Sequence, residues 1–257
     1  MWNNEGLINQ GCAISFQGPS DAPSGTLEVD KCSFFHCHSS DVGSGGVFAH
    51  CISSASVSDS IFFDCSCSEA STQEGGGVFM GNLSGKPLVQ SCSFISCTSG
   101  DDSGGCGIWY CSSSLTYSVD FCRFITCKAA HPESGQGGGA VLAWNEQFVP
   151  LKNCLFFSCD AVSEGGGLWI DCRYATNDRK FVFCFFSQNT ADSGKDVCVW
   201  RFPLNYVPLL HCFTTSTGKT VGEYENTNEH NNWLPQGTLS FVVDCYRHSS
   251  AKHDNTN

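Results

Sequence analysis

A block of about thirty residues recurs along this chain, and it limits the fold more than any other feature. Each copy joins a [Cys/Ser]-x-Phe segment, a cysteine, a polar loop and a glycine-rich turn followed by an aliphatic residue. Five copies span 32–48, 60–79, 92–109, 122–142 and 154–169, and a less regular copy spans 184–200. Repetition at a period of 20 to 50 residues is typical of solenoids, propellers and arrays whose units stack on their neighbours.

The pattern inside each copy predicts three short strands. The segment before the first cysteine alternates apolar and polar residues, and the Cys-x-Phe segment places cysteine and phenylalanine on one face. The third strand follows the glycines, and its first residue is always aliphatic and is predicted to face inward: Ile14, Val47, Val78, Ile108, Val141, Leu168 and Val197. Glycine clusters disfavour a helical solenoid, and a propeller blade needs about forty residues. We therefore expect an all-β parallel β-helix of about seven coils, spaced about 4.8 Å apart.

Cysteine is unusually abundant, with 19 residues in 257. Ten cysteines fall at two repeat positions, Cys37, Cys65, Cys97, Cys127 and Cys159 at one, and Cys32, Cys92, Cys122, Cys154 and Cys184 at the other. Side chains stacked on parallel strands point the same way rather than toward each other, so we expect core ladders of mostly free thiols. A disulfide framework and a zinc site stay open as alternatives, although the only close pair is Cys65-x-Cys67.

The repeats are predicted to fill residues 1–215, and the chain begins in mid-repeat, as if shortened at its N-terminus. Residues 216–257 are expected to form a cap, with a strand over 238–245 and a disordered tail. Lys and Arg number 13 against 25 Asp and Glu, a net charge of −12. This balance excludes the basic surface that nucleic acid requires. We expect no membrane-spanning segment, no signal peptide at the start, and a chain that is part of a larger protein.

The repeat signature resembles that of known surface proteins. The sixth copy reads F-x-x-N over Phe186–Asn189, and the glycine turn reads G-G-[small]-[aliphatic], as in 138–141. This pairing is similar to repeats of chlamydial polymorphic outer-membrane proteins and of protist surface proteins, over about residues 10–200. The resemblance implies a right-handed, pectin-lyase-like β-helix with an adhesive role at the cell surface or outside the cell. F-x-x-C replaces F-x-x-N in the other five copies.

Catalytic and metal-binding patterns are weak in the sequence. Asp101 and Asp102 are the only adjacent acids, and glycoside hydrolysis needs two carboxylates facing one sugar. Loop acids recur and predict a solvated acidic rim, with calcium binding as the alternative: Asp41, Glu69, Glu74, Asp101, Asp102, Glu133, Asp160 and Glu164. His36, His38 and His50 lie within one coil, and His36 is expected beside Asp64, where a surface hydrogen bond is favoured over a metal site. No metal and no cofactor is expected.

The best functional signal is the position after each inward aliphatic residue. It is predicted to face outward as an apolar stripe that binds a ligand, and it holds Phe48, Phe79, Trp109, Leu142 and Trp169. A cover of long loops, or of a neighbouring domain of the parent protein, is the alternative. We therefore predict a non-catalytic surface or secreted module for adhesion to a host or self surface protein or glycan. A polysaccharide lyase or glycoside hydrolase and a structural spacer are the alternatives. Asn82 starts a glycosylation sequon, Asn-Leu-Ser.

Overall fold

The structure, a computed structural model, describes most of the repeat region. The described residues are 13–20, 22–40, 43–67, 74–100, 104–111, 118–129, 137–144, 151–162, 164–171, 181–192, 195–200, 209–210, 213–214 and 221–224. The predicted cap strand over 238–245 lies outside them. Within these ranges every regular element is a β-strand, and no helix is present that would be long and apolar enough to cross a membrane.

Five parallel sheets, numbered here in the order in which a coil visits them, run along the repeats. Sheet 1 contains Thr26–Asp30, Ser54–Ser58, Leu88–Gln90, Ser118–Asp120, Leu151–Lys152, Phe181–Val182 and Leu209–Leu210. Sheet 2 contains Ser33–Phe35, Ile61–Phe63, Ser93–Ile95, Arg123–Ile125, Leu155–Phe157, Phe185–Ser187 and Phe213–Thr214. Sheet 3 contains His38–Ser39, Ser66–Cys67, Thr98–Ser99, Lys128–Ala129 and Asp160–Ala161. Sheet 4 contains Gly43–Ser44, Glu74–Gly75, Gly104–Gly105 and Gly137–Gly138. Sheet 5 contains Ile14–Gln17, Val47–His50, Val78–Gly81, Ile108–Cys111, Val141–Trp144, Leu168–Asp171, Val197–Trp200 and Val221–Tyr224.

Equivalent residues of successive repeats pair in register. Phe94, for example, lies opposite Phe62 on one side and Phe124 on the other, and both pairings are parallel. The chain is therefore an all-β parallel β-solenoid, as the repeat predicts. Among the described residues, five coils have more strands than the three predicted, because the polar loop contributes a short strand to sheet 3 in five coils and to sheet 4 in four.

A phenylalanine ladder fills the core behind sheet 2. It consists of Phe34, Phe62, Phe94, Phe124, Phe156 and Phe186, stacked at centroid distances of 4.6, 4.8, 5.1, 4.9 and 4.7 Å and within 12° of parallel. Burying one such ring contributes about 1.5–3 kcal/mol, and aromatic pairing adds about 0.5–1.5 kcal/mol. Val47, Val78 and the other predicted aliphatic positions from Ile108 to Val197 join this core, which confirms that they face inward.

The glycine turn is required by the phenylalanine ladder. A Cβ atom at Gly77 would lie 2.7 Å from Cδ1 of Phe94 and 2.8 Å from the carbonyl oxygen of Gly107. The turn therefore passes directly against the edge of a ring on the next coil. Glycine is favoured here because it leaves room for this close approach between coil and ring.

Both cysteine ladders lie inside the solenoid. The structure describes fourteen cysteines, all as free thiols, and twelve of them are buried. Eight of the ten ladder thiols donate to a carbonyl oxygen of the preceding coil, as Cys97 does to Phe62 at 3.6 Å and Cys154 does to Val119 at 3.4 Å. Burial raises the pKa of the Cys122 and Cys106 thiols, which keeps them protonated and unreactive. The prediction of free-thiol ladders is confirmed for the described residues.

Two corners of each coil adopt left-handed backbone conformations. The corner between sheets 2 and 3 has φ between 50° and 55° at His36, Asp64, Ser96, Thr126, Ser158 and Gln188. The corner between sheets 1 and 2 has φ between 47° and 56° at Lys31, Asp59, Ser91, Phe121, Asn153 and Phe183. Such φ values are uncommon for residues other than glycine, and here the ladders on either side hold them in place.

Candidate functional site

The predicted aromatic stripe lies on the outer side of sheet 5, but its described side chains are not exposed. Phe48, Phe79 and Trp169 are each at most 2% exposed. Phe48 stacks on Phe79 at 4.7 Å, and His50 packs against both rings. The expected exposure is therefore wrong for these three residues: Phe48 and Phe79 pack on each other and on His50, and Trp169 donates to Glu164. Trp109 and Leu142 lie in strands of this sheet, and their side chains lie outside the described ones. Ligand binding by the column stays a prediction.

A buried carboxyl group lies against the end of this aromatic column. Glu164 accepts hydrogen bonds from Nε1 of Trp169 at 3.0 Å and from the thiol of Cys198 at 3.6 Å. Burial raises the pKa of Glu164, and these two donors partly oppose that shift. Glu164 is only 4% exposed, so its expected place on a solvated rim is wrong. The Glu164 carboxyl group therefore has two hydrogen-bond donors in its buried position.

Asp160 is the one other loop acid whose side chain is described. It is half-buried, lies 3.9 Å from Lys128 and accepts a hydrogen bond from Thr190. The side chains of the remaining acids, including Asp101 and Asp102, lie outside the described set. Asn82 is exposed, and its amide group donates to the sulfur of Cys51 at 3.2 Å. Glycosylation of Asn82 stays a prediction.

An exposed apolar surface lies instead on sheet 2. In each three-residue strand of this sheet the central phenylalanine points into the core, so the residues on either side of it point outward. We call this surface the sheet 2 outer face; its apolar members are Phe35, Ile61, Phe63, Ile95, Ile125, Leu155, Phe157 and Phe185. Phe35 is 57% exposed, Ile61 41% and Phe185 38%, and the other five are half-buried. The sequence carried this signal, because an apolar residue follows the inward phenylalanine in five copies.

A histidine cluster lies at the edge of this face, on the corner between sheets 2 and 3. Nδ1 of His36 lies 2.7 Å from a carboxylate oxygen of Asp64 on the next coil, which confirms the predicted hydrogen bond. Nδ1 of His38 lies 2.6 Å from the hydroxyl oxygen of Ser66. The His36 ring also meets Phe63 edge-on at 5.7 Å. His50 is separate from this cluster, and burial lowers its pKa.

Comparisons with protein-family models, with curated proteins and with solved structures gave no match for this chain. The fold therefore defines its class: a cysteine-rich parallel β-solenoid built from about thirty-residue repeats.

Proposed function

We propose that this chain is a non-catalytic adhesion module of a surface or secreted protein, and that it binds through the sheet 2 outer face. One observation carries the proposal: a row of apolar side chains follows the solenoid, with Phe35, Ile61 and Phe185 exposed and its other members half-buried. Exposed contiguous apolar surface usually marks an interaction site in a folded protein. The resemblance of the repeats to surface-display proteins supports the same role.

The arrangement of the face suits binding better than catalysis. Parallel sheets are normally covered on both sides, so an uncovered apolar row favours a partner that supplies the second layer. Successive rungs are about 4.8 Å apart, so the row from Phe35 to Phe157 extends about 19 Å. Arg123 is exposed on this face, and its neighbours in register, Ser93 and Leu155, bring no acidic group beside it.

We infer that the partner is a protein surface with apolar side chains surrounded by lysine or arginine. The apolar row calls for apolar contacts, and the net charge of −12 favours a basic partner over an acidic one. Aromatic residues also suit sugars, and a second copy of the chain offers the same apolar row. These two occupants are the competing outcomes of the test.

The test uses the purified full chain on an array of apolar–basic peptides and on a glycan array, with sedimentation measured alongside. Phe35→Ser together with Ile61→Ser removes two exposed members of the face, and serine is already present in the Ile61 row at Ser33 and Ser93. We expect the wild-type chain to bind the peptides and the double variant to bind at least about tenfold more weakly.

Val162→Ser is the matched control, because Val162 is 40% exposed and lies after sheet 3, away from the face. This variant should bind like the wild type. The inference of an apolar–basic protein partner would be wrong if the wild type bound glycans or associated with itself and the double variant did not. Equal peptide binding by the wild type and the double variant would show that the sheet 2 outer face is not the binding surface.

The finer features of the fold belong to the same proposal. We infer a right-handed solenoid, because parallel strands joined by a crossover are right-handed in about 98% of cases. The eight strands of sheet 5 support about seven coils, and residues 216–257 are proposed to cap the end. A crystal structure of the full chain would show a left-handed path, fewer coils or an uncapped end if this inference is wrong.

A further inference from the structure

Three metal-ligating side chains converge at one edge of the solenoid. His36 and Asp64 occupy the same corner on adjacent coils, and His38 follows at the start of sheet 3. One ligand atom from each of the three lies within 4.8 Å of the others. Both histidines are exposed and the aspartate is half-buried, so an ion reaches the cluster without any opening of the fold.

The backbone brings these groups together. His36 and Asp64 share the left-handed corner conformation, with φ of 51° and 50°, so their side chains leave the backbone in similar directions. His38 pairs in register with Ser66 one coil on. The hydrogen bond of His38 to the Ser66 hydroxyl, at 2.6 Å, fixes its ring beside the corner.

We propose that His36, His38 and Asp64 form a binding site for a divalent transition metal of the zinc type. Two imidazoles and one carboxylate are ligands that suit Zn²⁺, Ni²⁺, Cu²⁺ and Fe²⁺. Three protein ligands leave a coordination position for water or for a group of the partner. Ser66 is placed to orient His38 from outside the ligand set, which is the usual role of an outer hydrogen-bonding group.

Folding of the corner does not require these residue types. Farther along the solenoid, the same corner pairs Ser96 with Thr126 at 3.0 Å and Ser158 with Gln188 at 3.3 Å. Hydroxyl and amide side chains therefore satisfy this position. Two imidazoles on one coil and a carboxylate on the next are a local departure from the repeat, and metal binding accounts for that departure. The site goes beyond the adhesion role and does not depend on it.

The repeat itself supplies variants that preserve the fold. Serine occupies the His36 and Asp64 column at Ser96, and threonine occupies the His38 column at Thr98. We therefore choose His36→Ser, His38→Thr and Asp64→Ser in the full chain, with Co²⁺ as the probe. Titration followed by absorption and by calorimetry reports stoichiometry, and thermal unfolding with and without Co²⁺ reports linkage to the folded state.

The wild-type chain should bind one Co²⁺ at this site and unfold at a higher temperature in its presence. Each ligand variant should bind roughly a hundredfold more weakly, because loss of even an outer hydrogen-bonding partner costs about 10- to 100-fold in metal affinity. His50→Ala, a histidine outside the cluster, should bind like the wild type.

Cysteine is the competing ligand, and Cys37 lies between the two histidines. Cys37→Asn is the control for it, because Asn189 already occupies that ladder position in the sixth copy. This variant should keep its Co²⁺. Loss of binding in Cys37→Asn with a thiolate charge-transfer band in the wild type would assign the ion to sulfur and overturn the site. Equal Co²⁺ affinity in the wild type and all three ligand variants would overturn it as well.

Discussion

The side-chain oxygen of Asn189 accepts a hydrogen bond from the backbone N–H of Cys159 at 2.9 Å. Its amide nitrogen donates to the carbonyl oxygen of Phe156 at 3.3 Å, which is the bond that the Cys159 thiol makes one coil earlier to Phe124 at 3.5 Å. Cysteine therefore replaces asparagine as the inward donor of this ladder. Asn189 makes a further bond that a thiol cannot add, because its second amide hydrogen reaches a carboxylate oxygen of Asp196 at 2.9 Å.

Replacing Asn189 by cysteine should destabilise the fold. A thiol has a single donor, so the Phe156 carbonyl would keep a partner while the buried Asp196 carboxylate would lose one. Loss of one partner of a buried polar group costs about 1–3 kcal/mol. Urea unfolding measures the change, and Cys159→Asn should gain no stability, because Gly167 stands where Asp196 does one coil on and offers no side-chain acceptor for the second amide hydrogen. An Asn189→Cys chain as stable as the wild type would contradict this account of the ladder.

Shortening one ring of the phenylalanine ladder should cost far more than shortening a ring on the outside. Phe94 is fully buried between Phe62 and Phe124, and Phe94→Ala should lower the free energy of unfolding by about 3–5 kcal/mol. Phe35 lies on the same sheet but faces solvent, so Phe35→Ala should stay within about 0.5 kcal/mol. The two variants are compared by urea unfolding. Similar losses in both would show that the ladder is not the main source of stability.

Relieving backbone strain at a corner should stabilise the chain. Thr126 is β-branched and has φ of 51°, a conformation that asparagine adopts more readily, as Asn153 does with φ of 54°. Thr126→Asn should add about 1 kcal/mol, or about 2–4 °C in Tm. Thr98→Asn, in a strand of sheet 3, is the control and should lower Tm because strands disfavour asparagine. Calorimetry gives both values, and a lower Tm for Thr126→Asn would argue against strain at this corner.

Glu164 should make stability depend on pH. Because burial raises its folded-state pKa, the folded chain holds this proton more tightly than the unfolded chain. The stability it contributes is complete below the unfolded pKa, near 4.3, and is lost as pH rises through the folded pKa. Glu164→Gln mimics the protonated form, so it should raise Tm at pH 7 and lose that advantage toward pH 4.5. Glu28→Gln, at an exposed position, should leave Tm unchanged both at pH 7 and near pH 4.5. A difference in Tm between Glu164→Gln and the wild type that stays the same at both pH values would contradict a raised folded-state pKa of Glu164.

Thiol reactivity should follow burial. Among the described cysteines, Cys32 and Cys37 are half-buried and the other twelve are buried. Iodoacetamide applied to the native chain should therefore modify Cys32 and Cys37 first, and the buried ladder thiols, such as Cys97, should react only after unfolding. Peptide mass mapping with and without denaturant measures this order. Rapid native labelling of Cys97, or its recovery in a disulfide, would contradict the ladder of free thiols.

The repeat alone predicted the inside of this molecule. Identical residues in successive coils stack because parallel strands pair in register, so Phe34 implied a rung with Phe62 and with every later copy. The same reasoning found the two cysteine positions and the inward aliphatic residues. Each of these features depends only on contacts between one coil and the next. In a periodic sequence, the residues that make those contacts are one repeat apart and can be predicted directly.

Only the tertiary structure decided what happens outside the repeat. Phe48 and Trp169 follow the outward period, yet they are buried. Glu164 is likewise buried, against Trp169 and Cys198, where the sequence predicted a solvated rim. His38 lies beside His36 and Asp64 because the corner between sheets 2 and 3 has left-handed backbone angles, and the residue types at this corner do not predict those angles. A period fixes the register along the axis of the solenoid, whereas the surroundings of its outer surface depend on segments that do not repeat.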